Sequence, residues 1–347
     1  MSPESSGARG IAFPLRVASS LAVIAALSVL SAAAACGGGE ARVERTAAAR
    51  RDTALAAATA DAATAGAAHA GFDERAWRPP AEAAIPNDSL GASIRRGLAL
   101  VRHTTDSLSS YATGRLTCSN CHLDAGRNPT AAPLTGSHAR FPKYMERTGA
   151  VIDLADRVNY CFTRSLAGNK LPKDSREMQD MLAYLAFLSK GVPVGTKIAG
   201  AEGLMALPTL DGDSARGAGV YRAKCQACHG PEGAGAGPVP ALWGTGSYSI
   251  GASMARAERA ASFIWHNMPL GQGRSLTPQD AFDVATFVNA HPRPDSPGKE
   301  NDWPLGGAPK DVPYATRSGH VAFRPPRLLA RPNALGAIVP RPPWRAR

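Results

Sequence analysis

Cys118-Ser-Asn-Cys121-His122 returns later in the chain as Cys225-Gln-Ala-Cys228-His229. C-x-x-C-H is the attachment pattern of a c-type haem. Two thiols one helical turn apart add across the two vinyl groups of the porphyrin, and the following His offers its imidazole nitrogen to the iron. One such pentapeptide also fits half a zinc site or a redox dithiol. Two copies 107 residues apart, each with His directly after the second Cys, point to two covalently bound haem c groups. A haem fills much of the core of its own domain, so 347 residues hold two such units with room to spare.

The remaining cysteines are Cys36 and Cys161. Cys36 ends an export signal, which leaves Cys161 without a disulfide partner, an unusual situation in an exported protein. The formal charge of +11 does not indicate nucleic acid, because of where it lies. After Asp311 the chain has seven Arg (317, 324, 327, 331, 341, 345 and 347) and no acidic residue, so much of the excess sits on a Pro-rich tail.

Residues 1–35 read as a signal peptide: Arg9 and Arg16, an apolar run from Val17 to Leu30, then small residues. Ser31-Ala-Ala-Ala-Ala-Cys36-Gly-Gly-Gly resembles a lipoprotein cleavage site, with Ala33 where Leu is usual; ordinary cleavage after Ala-x-Ala is the competing reading. Haem attachment to C-x-x-C-H takes place outside the bacterial cytoplasm, so the expected location is the periplasm, with a lipid anchor at Cys36. Residues 36–80, which include His69, are Ala-, Thr- and Arg-rich and read as a flexible tether.

The fold class expected is all-α, with two tandem cytochrome c domains at 81–198 and 199–294 and a Pro/Arg-rich tail at 295–347. In the first, Ile94, Leu98, Val101 and Leu108 fall at helical spacing ahead of Cys118, and an amphipathic helix over 175–188 closes the unit. In the second, a helix from Asp213 leads into Cys225, another runs from Arg256 to His266, and Thr277-Pro-Gln-Asp280 starts the closing helix. Asp302-Trp303 is expected against the second domain, with the rest of the tail free.

Each iron has a further axial position. In the second unit Met268 stands 39 residues after His229, within Asn-Met-Pro, as in Met-ligated cytochromes c. In the first, Cys161 stands at the same offset from His122, with Met145, Met178 and Met181 as rival ligands and a buried inert thiol as the bland alternative. Basic residues surround it in sequence: Arg140, Lys143, Arg147, Arg157, Arg164 and Lys170. A guanidinium fork binds oxyanions through paired hydrogen bonds. Arg147 and Arg157 are the two favoured for an active site; a solvated surface is the default for the others.

Leu116-Thr-Cys-Ser-Asn-Cys-His-Leu123-Asp-Ala-Gly126, Phe141-Pro-Lys-Tyr144 and Asp156-Arg-Val-Asn-Tyr-Cys161-Phe-Thr-Arg-Ser165-Leu-Ala-Gly168 resemble the dihaem thiosulfate dehydrogenases. Phe263-Ile-Trp-His-Asn-Met268-Pro and Asp302-Trp-Pro-Leu-Gly-Gly are similar to the same family, so the resemblance spans roughly 85–314. It departs at Ala167, where Asn is expected, and at Asn267, where some members carry a Lys that competes for the second haem. The resemblance implies a His/Cys haem at the active site, a second haem that passes electrons out, and arginines that bind substrate. These roles map onto His122, Cys161, Arg147, Arg157, His229 and Met268.

The activity so implied is coupling of two thiosulfates to tetrathionate, reversible in principle. Cys161 sulfur carries a covalent adduct, and the electrons pass to a periplasmic acceptor such as a small cytochrome c. The alternatives are a non-catalytic dihaem electron carrier and a cytochrome subunit of a thiosulfate-oxidising multienzyme system.

Overall fold

The computed structural model describes residues 72–112, 114–196, 198 and 204–323. The expected export signal, Cys36, the tether as far as residue 71 (with His69) and the Arg-rich end from 324 lie outside the described residues. The first haem unit is built from α1 (Ser89–Arg102), a hairpin of β1 (Lys143–Met145) and β2 (Ala150–Ile152), α2 (Leu154–Tyr160) and α3 (Arg176–Phe187). The second is built from α4 (Ser214–Lys224), α5 (Ala257–Asn267) and α6 (Pro278–Asn289).

Local signals set the starts of these helices. The Asp88 side chain accepts from Gly91 N at 2.7 Å, Ser175 caps α3, Asp213 caps α4, and Thr277 with Asp280 forms a capping box on α6. The spacing of Ile94, Leu98 and Val101 puts all three on the buried face of α1. The helix does not reach Leu108 as expected. It stops at His103, whose φ of −126° and ψ of 44° leave the helical region, and a separate turn follows over Thr104–Ser107.

α1 crosses α3, and α4 crosses α6, by one repeated device. A Cβ on Gly97 would fall 2.0 Å from the carbonyl oxygen of Asp180, and one on Gly217 would fall 2.0 Å from that of Asp283. Only glycine permits either approach. The Arg before each Gly then grips the side chain of the same Asp. Arg96 Nε and Nη2 donate to Asp180 at 2.6 and 2.8 Å, and Arg216 Nε and Nη2 donate to Asp283 at 2.7 and 2.9 Å. Tyr184 and Phe287, one turn after each Asp, press on the same two glycines. The internal duplication of first helix, haem motif and closing helix therefore reaches down to the Arg-Gly/Asp contact at each helix crossing.

Met178, Met181, Tyr184 and Phe162 lie in the first core, which makes Met178 and Met181 packing residues; Tyr248, Ala252 and Ala255 from the later chain join that core. Tyr221, Trp243, Phe287 and His291 stack in the second unit, with Trp243 and His291 ring centroids 4.1 Å apart. Two expectations about the flanks change. Trp77, at the end of the expected tether, donates its indole N–H to Lys190 O at 3.1 Å, so this end is docked. Residues 295–323 are not a free tail: Trp303, Val312 and Tyr314 form a buried cluster with Ile250 and Ala308. Asp311 accepts from Arg256 Nε at 2.7 Å and caps α5 through Glu258 N at 3.1 Å. Among the described residues no helix is long and apolar enough to cross a membrane.

Candidate active site

Both C-x-x-C-H segments wind into a single helical turn. His122 N donates to Cys118 O at 2.9 Å and His229 N to Cys225 O at 3.0 Å, so each His stands directly beyond its pair of thiols. The imidazoles are oriented alike. His122 Nδ1 pairs with Ala132 O, and His229 Nδ1 pairs with Pro240 O at 3.1 Å. A carbonyl at Nδ1 selects the tautomer with its proton there and leaves Nε2 as a lone-pair donor for iron. Cys118, Cys121, Cys225 and Cys228 are free thiols, as haem attachment requires. Burial pushes Cys118 up to about 11 and Cys121 up to about 12, the signature of an apolar pocket. The residues present fit a covalently bound haem in each unit.

Cys161 is a different kind of thiol. α2 begins with the Asp153 side chain accepting from Asp156 N at 2.7 Å, and at its end the helix widens into a π-turn, Cys161–Ser165. Such widenings recur at functional sites. Burial alone would push Cys161 up. The Arg157 guanidinium, one turn earlier, and the His122 imidazole more than offset that and hold it down at about 6. Arg157 Nη1 donates to Cys161 Sγ at 3.0 Å. The two haem-one residues singled out at equal offset in the sequence, His122 and Cys161, thus meet in space, with Arg157 on the sulfur.

Arg147 is not brought onto the sulfur. It sits in the turn of the β1–β2 hairpin, an element the sequence reading did not contain. Its Nε donates to Asp302 Oδ2 at 3.0 Å, and its Nη2 donates to Gly251 O at 2.7 Å and to the Tyr314 hydroxyl. Arg164 grips the same carboxylate, with Nη1 on Oδ2 at 2.8 Å and Nη2 on Oδ1. The Tyr314 hydroxyl donates to Asp302 Oδ2 at 2.6 Å. Both guanidiniums lie over the Tyr160 ring, at 5.8 Å for Arg147 and 4.5 Å for Arg164, and Tyr160 is the neighbour of Cys161. Arg147 and Arg164 therefore gather around Tyr160, the residue before Cys161, held by a carboxylate expected against the second domain. Lys143 lies over the Phe141 ring at 5.5 Å, and Lys170 is exposed.

Met268 follows the last residue of α5 and is half-buried. With Leu123 and Ala132 it packs against a cluster of Ala131, Leu204 and Phe263, so it faces the haem loop of the first unit.

Residues 110–194 match the family model described as SoxA/TsdA, cytochrome c domain, and residues 214–291 match that described as cytochrome c. The thiosulfate dehydrogenase of Psychrobacter arcticus is 38% identical over 256 residues, covering 72% of this chain and 78% of that protein. The chain belongs to the thiosulfate dehydrogenase family. The Allochromatium vinosum thiosulfate dehydrogenase is 42% identical over 229 residues, 62% of this chain and 83% of that protein. The solved thiosulfate dehydrogenase (TsdBA) from Marichromatium purpuratum is 35% identical with a TM-score of 0.61, and covers 64% of this chain. The chain spans half the length of that structure's chain. Family and motif together make the protein an all-α cytochrome with two tandem cytochrome c domains and two covalent haem c groups.

Proposed function

We propose that the protein is a thiosulfate dehydrogenase that couples two thiosulfates into tetrathionate at Cys161. The observation that carries this is Cys161 Sγ under the Arg157 guanidinium, whose Nη1 donates to the sulfur at 3.0 Å; Arg157 and His122 together hold the thiol down. An oxidising cytochrome needs no such group to move electrons. A reaction that makes a sulfur–sulfur bond between two dianions needs a sulfur nucleophile and positive charge around it.

The residues divide the work as follows. His122 and Cys161 would hold the first haem from its two sides, and His229 and Met268 the second. Each bound haem supplies a one-electron acceptor, so the pair takes both electrons of the reaction. Cys161 thiolate and the outer sulfur of one thiosulfate lose two electrons together and form Cys–S–S–SO3⁻. The second thiosulfate attacks the outer sulfur of that adduct, releases the Cys161 thiolate and leaves as tetrathionate. Arg157 stabilises the thiolate as it forms and as it is expelled, and its charge lowers the repulsion between the anions at the sulfur. The second step needs no proton and the first is reversible, so the same site fits tetrathionate reduction.

The proposed setting is the periplasm, with a lipid anchor at Cys36, domain limits at 81–198 and 199–294, and a small cytochrome c as acceptor. Cys161→Met tests the chemistry. A thioether can still occupy an axial position but cannot form the adduct. With both haems loaded, thiosulfate-dependent ferricyanide reduction by the Met variant is expected at background. Retention of more than about a tenth of wild-type turnover, a loss under ~1.4 kcal/mol of barrier, would remove Cys161 from the reaction.

A further inference from the structure

Asn267 directly precedes Met268 at the end of α5, yet its side chain belongs to the other haem unit. It is 5% exposed. Its Nδ2 donates to Thr130 O at 3.0 Å and to its own helix at Phe263 O, also 3.0 Å. Its Oδ1 accepts from the Thr130 hydroxyl at 3.0 Å and from Asn128 Nδ2 at 3.4 Å. Both amide hydrogens are thereby used, and the carbonyl oxygen takes Asn128 Nδ2 and a share of the Thr130 hydroxyl hydrogen, which also lies 2.8 Å from Asn128 Oδ1.

The loop so gripped is not an arbitrary one. Asn128 Oδ1 accepts from Thr130 N at 2.9 Å, which stiffens the turn. Two residues on, Ala132 O is the carbonyl that fixes the His122 imidazole. Ala131 between them is fully buried and shares a cluster with Phe263, against which Met268 and Leu123, the neighbour of His122, also pack. One short loop is therefore joined at one side to the proximal His of the first haem and at the other to the residue beside Met268.

We propose that Asn267 is a positioning residue for electron passage between the haems, fastening the Met268 end of α5 to the 128–132 loop and so fixing the distance between the two ligand-bearing segments. Electron transfer makes and breaks no bond at Asn267; it requires that the two sites stay close and still. Three hydrogen bonds between this buried amide and the 128–130 segment add directional restraint at the point where the two ligand-bearing segments meet. Removing the amide also takes the Asn267 donor from the half-buried Thr130 carbonyl, which loosens the loop further. The inference rests on the two-haem reading with Met268 as a ligand, and not on the sulfur chemistry.

The test uses the protein loaded with both haems and no sulfur substrate. A photochemical reductant delivers one electron, and the rate at which it equilibrates between the haems is followed by their separate absorption changes. Asn267→Leu keeps the branched shape and removes every side-chain hydrogen bond. The inter-haem rate is expected to fall by about tenfold or more, with both equilibrium potentials and the Met-ligation band of the ferric protein as in wild type. Asn267→Asp, which retains the two acceptor contacts, is expected between the two. Thr130→Val removes one contact from the opposite side and decides the matter if Asn267→Leu fails to load both haems: it should slow the rate measurably with Asn267 in place. A merely structural amide would lower the melting temperature and leave the rate unchanged in the folded protein, and that result overturns the proposal. A wild-type ferric spectrum without the Met band would instead locate the error in the ligand assignment.

Discussion

Asp302 is the residue whose loss should cost this fold most for its size. Its side chain is 3% exposed and neutralises Arg147 and Arg164, themselves 15% and 13% exposed, while accepting from Tyr314. Asp302→Ala leaves the Arg147 and Arg164 guanidiniums, which both donate to Oδ2, side by side without their counter-charge. Removing one partner of a buried pair costs about 3–5 kcal/mol, because the remaining charge keeps its desolvation penalty. For a folded region of this size each kcal/mol lowers the melting temperature by about 2–4 °C, so a fall of roughly 6–20 °C is expected. Asp302→Asn keeps one acceptor oxygen and should lie between. The exposed pair Arg102–Glu82, with side chains 40% and 50% accessible, is the control, and Glu82→Ala should cost less than about 1 kcal/mol. Urea unfolding of the haem-loaded protein, followed by far-ultraviolet circular dichroism, gives the three values. An Asp302→Ala loss no larger than that of Glu82→Ala would show that water already neutralises the arginines, and the account of the Asp302 cluster would fail.

The helix crossings make a paired prediction within α4. Gly217→Ala drives a Cβ into Asp283 O and should destabilise by about 1–3 kcal/mol despite the gain in helix propensity. Gly219→Ala, with nothing within 4 Å of its Cβ, should stabilise by about 0.5–1 kcal/mol; equal urea midpoints for the two would refute the reading. The same crossings impose an acid dependence. Burial works to raise Asp180 and Asp283, but Arg96 and Arg216 prevail and hold both below the ordinary carboxylate value of 3.8. Their stabilisation is therefore present above that value and is lost as pH falls below it. Arg96→Met should flatten the first unit's share of the loss between about pH 5 and pH 2, a change read from unfolding midpoints across that range. Met268→Gly should lower the potential of the second haem and abolish the near-infrared band of Met-ligated ferric haem, leaving the first haem unmoved in a redox titration. Cys36→Ser should shift the protein from the membrane to the soluble fraction of its host, and an already soluble wild type would exclude the anchor.

The haem motifs and the helix starts were legible because each is a local relation, and the equal offset of Cys161 and Met268 because the plan is repeated within the chain. Thiols three apart, a cap beside its own helix, and Arg157 one turn before Cys161 depend only on the geometry of a few consecutive residues. Even the Cys161 contact could be read this way, since residues four apart on a helix share a face.

What the chain alone did not decide is where charges and loops from distant segments come to rest. Arg147 looked equivalent to Arg157 as an anion binder, but its direction is set by Asp302, 155 residues later. Asp302 lies in a Pro- and Gly-rich stretch with few apolar residues, which by composition reads as a tail. Its order comes from partners elsewhere: two buried arginines, Gly251 and the Tyr314 cluster. The Asn267 grip on Thr130 likewise joins residues 137 apart. Hydrophobic period and capping chemistry act within a helix and leave their mark in sequence. A buried ion pair or amide bridge exists only once two remote surfaces meet, because its stability depends on the water that their meeting excludes.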